Sequence, residues 1–146
     1  MKRKRRLDEL TPDFVDEIPG VPEHGKLYLS CRYRAAVHLC ACGCGAKIST
    51  PLHPTGWRLL YDGESVSLRP SVGNWSEKCQ SHYVIKNNKV LWAARFPRDK
   101  IRRIREQRHR DLEDYYGGGR RPADQPSSRA EGFWSKIWNL IRPTSR

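Results

Sequence analysis

The chain has 146 residues, 37% of them apolar, with 28 Lys and Arg against 16 Asp and Glu for a net charge of +12. That length suits one domain with tails. The apolar share, below the ~45–50% of ordinary globular chains, excludes a chain that is core from end to end. No window reaches the ~18 apolar residues of a membrane-spanning helix, so no transmembrane segment is expected.

The basic side chains are unevenly placed. "MKRKRR" opens the chain and runs into "LDELTPDF" and not into an apolar stretch, so no secretory leader is expected. A cytoplasmic protein is then expected, in which thiols stay reduced and clustered cysteines more often hold metal than form disulfides. Residues 1–25 read as a basic arm and a short helix. Within them "TPDFVDEIP" offers Thr11 as N-cap and Pro12 at the first helical position.

Residues 26–94 read as the folded unit, mainly β: a small zinc-stabilised antiparallel sheet. "KLYLSCRYRAAVHLC" alternates and is rich in Tyr, Leu and Val, which predicts a strand or two, with Cys31 as a small buried residue. "GWRLLYDGESVSLRP" predicts two strands around Asp62–Gly63, and "HYVIKNNKVLWAA" a hairpin with Asn87–Asn88 at its tip. Residues 95–116 follow as a basic helix, with Ile101, Ile104, Arg108 and Leu112 on one weak stripe. Residues 117–132 form a Gly/Pro/Ser-rich flexible linker. Residues 133–146 close the chain as a tethered amphipathic helix, with Trp134, Ile137, Trp138 and Ile141 at i, i+3, i+4 and i+7.

Two clusters carry chemistry. "HLCACGCG" places His38, Cys40, Cys42 and Cys44 at alternate positions, and "CQSH" places Cys79 and His82 in CxxH spacing about 35 residues on. A small meander brings two such ligand groups together, as in zinc ribbons. Glycine after a ligating cysteine permits the tight turn that aims backbone N–H groups at the thiolates. Thiolate with imidazole selects zinc or iron over magnesium or calcium. The candidate ligands are Cys40, Cys42, Cys44, Cys79 and His82. The favoured four are Cys42, Cys44, Cys79 and His82, with Cys40 as the substitute. There is no HExxH motif, and a closed, sulfur-rich site is usually structural, but a catalytic ion remains the alternative.

"SLRPSVGNW" holds the second candidate centre. Ser71 sits between Pro70 and the Gly73–Asn74 turn, eight residues before Cys79. A serine held near an imidazole is an activated nucleophile, and His38 or His82 supplies one. A turn-capping hydroxyl is the other reading of the same residue. The candidate catalytic residues are Ser71 and His38.

"CACGCG", "PSVGNW" and "CQSHY", in this order between Leu27 and Trp92, resemble a bacterial domain family marked by CxCGCG, PS[IV]GNW and CxSHY motifs. Members are often encoded beside ubiquitin-like conjugation pathways. The resemblance implies a zinc-binding hydrolase of such a pathway, a peptidase that processes or removes the ubiquitin-like protein. Its partners would be that protein and its activating or conjugating enzyme. A non-catalytic zinc module binding a pathway protein, or nucleic acid through its basic surface, is the competing expectation. Much of the charge lies outside the motif-bearing core, in "KRKRR" and residues 95–121, which weakens the nucleic-acid reading.

Overall fold

A computed structural model describes residues 5–117; the predicted terminal helix, and the linker beyond residue 117, lie outside the described residues. The chain divides into two units, Met1–Leu112 and Glu113–Arg146. The first contains every described strand and most of the single described helix.

Among the described residues, eight strands form two four-stranded sheets. The first sheet has the order β1 (Thr11–Phe14), β2 (Lys26–Ser30), β3 (Ala35–Leu39), β4 (Lys47–Pro51). The second has the order β5 (Arg58–Tyr61), β6 (Val66–Gly73), β7 (His82–Lys86), β8 (Lys89–Trp92). Every pairing is antiparallel except β1 with β2. The β7–β8 hairpin turns on Asn87 and Asn88, both at positive φ (49° and 65°), the left-handed pair that a two-residue type I′ turn requires. β4 alternates cleanly, with Ile48 and Thr50 buried and Lys47, Ser49 and Pro51 exposed.

The segment expected to be a short N-terminal helix is β1. Thr11–Phe14 pairs in parallel with Lys26–Leu29. Pro12, which cannot donate to a ladder, is tolerated because β1 is an edge strand. Just before it, Leu10 is fully buried, and its N–H bonds Asn88 O at 2.8 Å while Val90 N–H bonds Asp8 O. The stretch from Leu7 to Phe14 therefore runs first along β8 and then along β2, joining the two sheets. Cys31 is another correction: it is exposed, because β2 ends at Ser30 and Arg34 N–H closes a turn onto Cys31 O.

Both sheets feed one apolar cluster. Leu10, Leu27, Leu29, Ala36 and Ile48 meet Val66, Leu68, Val72, Tyr83, Ile85 and Val90. Cys40, Cys42 and Trp57 complete it on the side of the cysteine loop. After β8, α1 (Arg98–Gly117) begins behind Pro97, with Asp99 in its first turn, where a carboxylate complements the helix dipole. It has no fully buried residue, and Ile101 and Ile104 are its half-buried face. None of the described helices is long and apolar enough to cross a membrane.

Candidate active site and metal centre

The cysteine loop between β3 and β4 is built on two glycines. Gly43 and Gly45 sit at φ 80° and 86°, a backbone that L side chains rarely adopt. Cys40 N–H bonds Ala46 O at 2.8 Å and Gly43 N–H bonds Cys40 O at 3.0 Å. The chain thus doubles back and gathers three thiols, those of Cys40 and Cys42 buried and that of Cys44 exposed. The fourth comes from the connection between β6 and β7, which winds through Glu77 N–H to Asn74 O and Gln80 N–H to Glu77 O.

The ligand atoms of Cys40, Cys42, Cys44 and Cys79 all lie within 4.8 Å of one another. Cys40 and Cys42 sulfurs are 3.4 Å apart, Cys44 and Cys79 3.7 Å, and Cys40 and Cys79 4.0 Å. A tetrahedral thiolate site with bonds of ~2.3 Å needs sulfurs roughly 3.8 Å apart, so the four positions fit a single ion. All four are free thiols. Burial pushes the Cys42 thiol up, but hydrogen bonds with Ser81 and Cys40 and from the backbone of Cys44 outweigh it and bring it down to about 6. Asn74 donates its Nδ2–H to Cys40 Sγ at 3.1 Å, the kind of outer hydrogen bond that orients a metal ligand.

His82, expected as the fourth ligand, lies outside this group. Gln80, at φ 45°, turns the chain between Cys79 and the start of β7, so the CxxH spacing sends its two side chains to different neighbours. His82 is 4% exposed. Its Nδ1 is 2.6 Å from Ala94 O and its Nε2 is 2.8 Å from Ser71 Oγ. A carbonyl can only accept, so Nδ1 carries the proton. Nε2 then presents its lone pair to the Ser71 hydroxyl, which donates. Trp75 and Phe96 enclose the ring, with centroids 5.0 and 4.3 Å away.

Ser71 reaches this position through a break in the ladder. Leu68 pairs with Ile85 and Val72 with Tyr83, so three residues of β6 oppose one of β7. Bulges of this kind re-aim side chains. This one, which contains the cis peptide bond Arg69–Pro70, brings the Ser71 hydroxyl to the His82 ring. Gly73, two residues on, pairs directly with His82.

His38, the expected partner of Ser71, is elsewhere. It is fully buried on β3, and Nε2 shares a 2.8 Å hydrogen bond with Tyr83 Oη. Burial alone lowers it to about 4, which keeps the ring neutral, as a cross-sheet tie within the core. Tyr83 and Ala94 are residues of this region that sequence reasoning passed over. Tyr83 stands within the CxSHY motif and could have been found there; a backbone carbonyl such as that of Ala94 leaves no mark on a sequence.

No curated protein and no solved structure matches this chain. A family model described as "Bacterial ubiquitination-like system serine protease (BubE)" matches residues 14–93, a span that contains the four cysteines, Ser71 and His82. With more than half of its length inside that match and a serine paired to a histidine at its centre, the chain belongs to the BubE family of serine proteases of bacterial ubiquitination-like systems.

Proposed function

We propose that the chain is a zinc-stabilised serine peptidase that processes or removes the ubiquitin-like protein of its system, with Ser71 as nucleophile and His82 as general base. One observation carries the reading: the continuous chain from Ser71 Oγ through both nitrogens of His82 to Ala94 O. In it the carbonyl of Ala94 does the orienting work that a carboxylate does in a Ser-His-Asp triad.

As Ser71 Oγ adds to the scissile carbonyl, His82 Nε2 takes its proton, and the imidazolium is held by Nδ1–H on Ala94 O. Nε2 then returns the proton to the departing amine or alcohol, leaving an acyl group on Ser71. Water, deprotonated by the same nitrogen, releases the acyl group and restores the hydroxyl. The scissile bond in this reading follows the ubiquitin-like protein's terminal glycine, and the pathway's activating or conjugating enzyme is the natural companion of such a peptidase in the cytoplasm.

Zinc is the ion that four clustered thiols select best. Cys40, Cys42, Cys44 and Cys79 would hold it, and it would supply folding energy and not a bound nucleophile, because four protein ligands close a tetrahedral shell. The ion would also serve the chemistry indirectly. Cys79 lies on the loop whose two legs carry Ser71 and His82, so clamping that loop holds the serine against the imidazole.

The test is a neutral fluorophosphonate, which phosphonylates an activated serine with loss of fluoride, read by intact mass. The wild-type chain should gain one adduct, located on Ser71, and Ser71→Ala should gain none. The same two proteins are then incubated with a ubiquitin-like precursor from such a system, where only the wild type should yield a product ending at a glycine. An adduct on Ser71→Ala equal to that on wild type would refute the assignment.

A further inference from the structure

Ser71 opens onto a groove of about 480 Å³ between the β6 hairpin and α1. Trp57, Trp75 and Phe96 supply its apolar walls, and Lys100, Arg105 and Arg108 line it from the helix. Aromatic faces and a hydroxyl hold these cations in place. Arg108 lies 4.4 Å over the Trp57 ring and Lys100 lies 3.7 Å over Phe96. Arg105 donates to Ser76 Oγ at 3.2 Å.

The acids nearby are otherwise engaged or otherwise placed. Asp99 and Glu106 pair with Arg102, and Asp111 accepts from Gln107. Glu77 lines the adjoining hollow, which Trp57, Trp75 and Arg108 also border, but among the described residues no carboxylate forms an ion pair with any of the three cations. Among the described residues, the groove beside Ser71 therefore carries three positive charges without a paired counter-charge.

We propose that Lys100, Arg105 and Arg108 are specificity residues that select an acidic peptide segment beside the scissile bond. This deepens the peptidase reading and rests on it for the meaning of "scissile". Guanidinium and ammonium groups on aromatic faces are positioned in advance, and a substrate carboxylate meets them with charge-assisted hydrogen bonds. The three side chains lie beyond residue 93, where the family match ends, so the preference belongs to this chain's helix and not to the shared core.

The experiment measures protection of Ser71 from the neutral fluorophosphonate by short peptides of equal length, one rich in Glu, one in Ser and one in Lys. Each protein's unprotected labelling rate is its own reference. The Glu peptide should slow labelling of the wild type about tenfold more than the other two, and added salt should erode the difference. In the variant carrying Lys100→Glu, Arg105→Glu and Arg108→Glu the preference should invert to the Lys peptide, and in the milder triple Gln variant it should vanish. A helix that merely braces the fold would not swap its preference with its charge.

Equal protection by the three peptides, or a preference unmoved by either variant, overturns the proposal. So does a short RNA that protects Ser71 better than the Glu peptide, which would assign the groove to nucleic acid. If the wild type takes no fluorophosphonate, the peptidase reading fails on its own. Fluorescence anisotropy of the labelled peptides then decides the groove, by the same preference and the same inversion.

Discussion

Gly73→Ala should damage the active site without touching either reacting group. Gly73 is not among the glycines at positive φ, so its backbone suits alanine and the effect is steric alone. A methyl group there would lie 2.6 Å from Cζ2 of Trp75, and closer still to Cε2 and Nε1. The indole must move, and it packs against both the His82 ring and Phe96. Overpacking of this kind typically costs about 1–3 kcal/mol. At ~4–8 °C per kcal/mol for a domain of this size, the midpoint of thermal unfolding should fall by about 10 °C. Misplacing a catalytic imidazole by an ångström costs on the order of a hundredfold in rate, so labelling of Ser71 should slow by between ten- and a hundredfold. Circular dichroism melting and timed intact-mass labelling read the two effects. Adding Trp75→Ala removes the clash, so the double variant should be no less stable than Trp75→Ala alone. A Gly73→Ala protein that melts and labels like the wild type would refute the view that Trp75 holds His82 in place.

The metal reading predicts one zinc per chain by elemental analysis and its loss, with the fold, in Cys79→Ser, since a structural zinc is worth ~10–16 kcal/mol. His82→Ala should keep the zinc and lose the labelling; zinc loss in that variant would return His82 to the ligand set. Ser71→Ala should melt within about 1–2 kcal/mol of the wild type, the value of one hydrogen bond, and a larger loss would mark Ser71 as a structural cap. Tyr83→Phe strips the buried His38 of its Nε2 partner and should cost about 1–3 kcal/mol while leaving fluorophosphonate labelling near the wild-type rate; silent labelling would place His38 in the chemistry after all.

What the sequence made legible was local. Asn87–Asn88 and Asp62–Gly63 announce their turns because few residue pairs adopt those backbones, and β-branched and aromatic residues mark the strands on either side. β1 was hidden because Thr11–Pro12 is good helix-start chemistry. The opposing influence, pairing with β2 and burial of Leu10 against the second sheet, is tertiary. β4 was missed because "KISTP" is too short and too polar to stand out alone. At the site, the three thiols of the loop could be read from CACGCG, and Cys79 from its distance. Cys79 and His82 look like one ligand pair because spacing counts residues, whereas the backbone turn at Gln80 decides where each side chain goes. Ser71 could be singled out, but its alignment depends on a three-for-one bulge against β7, which no local pattern encodes.

The stretch from Leu7 to Phe14 has a consequence for how the molecule comes into being. Its first partner strand, β2, is synthesised soon after it, but its other neighbour, β8, is the last of the described strands to be synthesised. Trp92 Nε1–H reaches Leu7 O across 85 residues, and Asn88 accepts from Leu10. A nascent chain can close the first sheet early, yet the seam to the second waits until Trp92 has left the ribosome. Contacts of such wide sequence separation slow folding, because the loop between them must be closed before they contribute. Ala94, whose carbonyl orients His82, emerges two residues after Trp92. The hydrogen-bonded chain from Ser71 through His82 to Ala94 can therefore be completed only after all the described strands have been made, at about the time the seam between Leu7 and Trp92 can close.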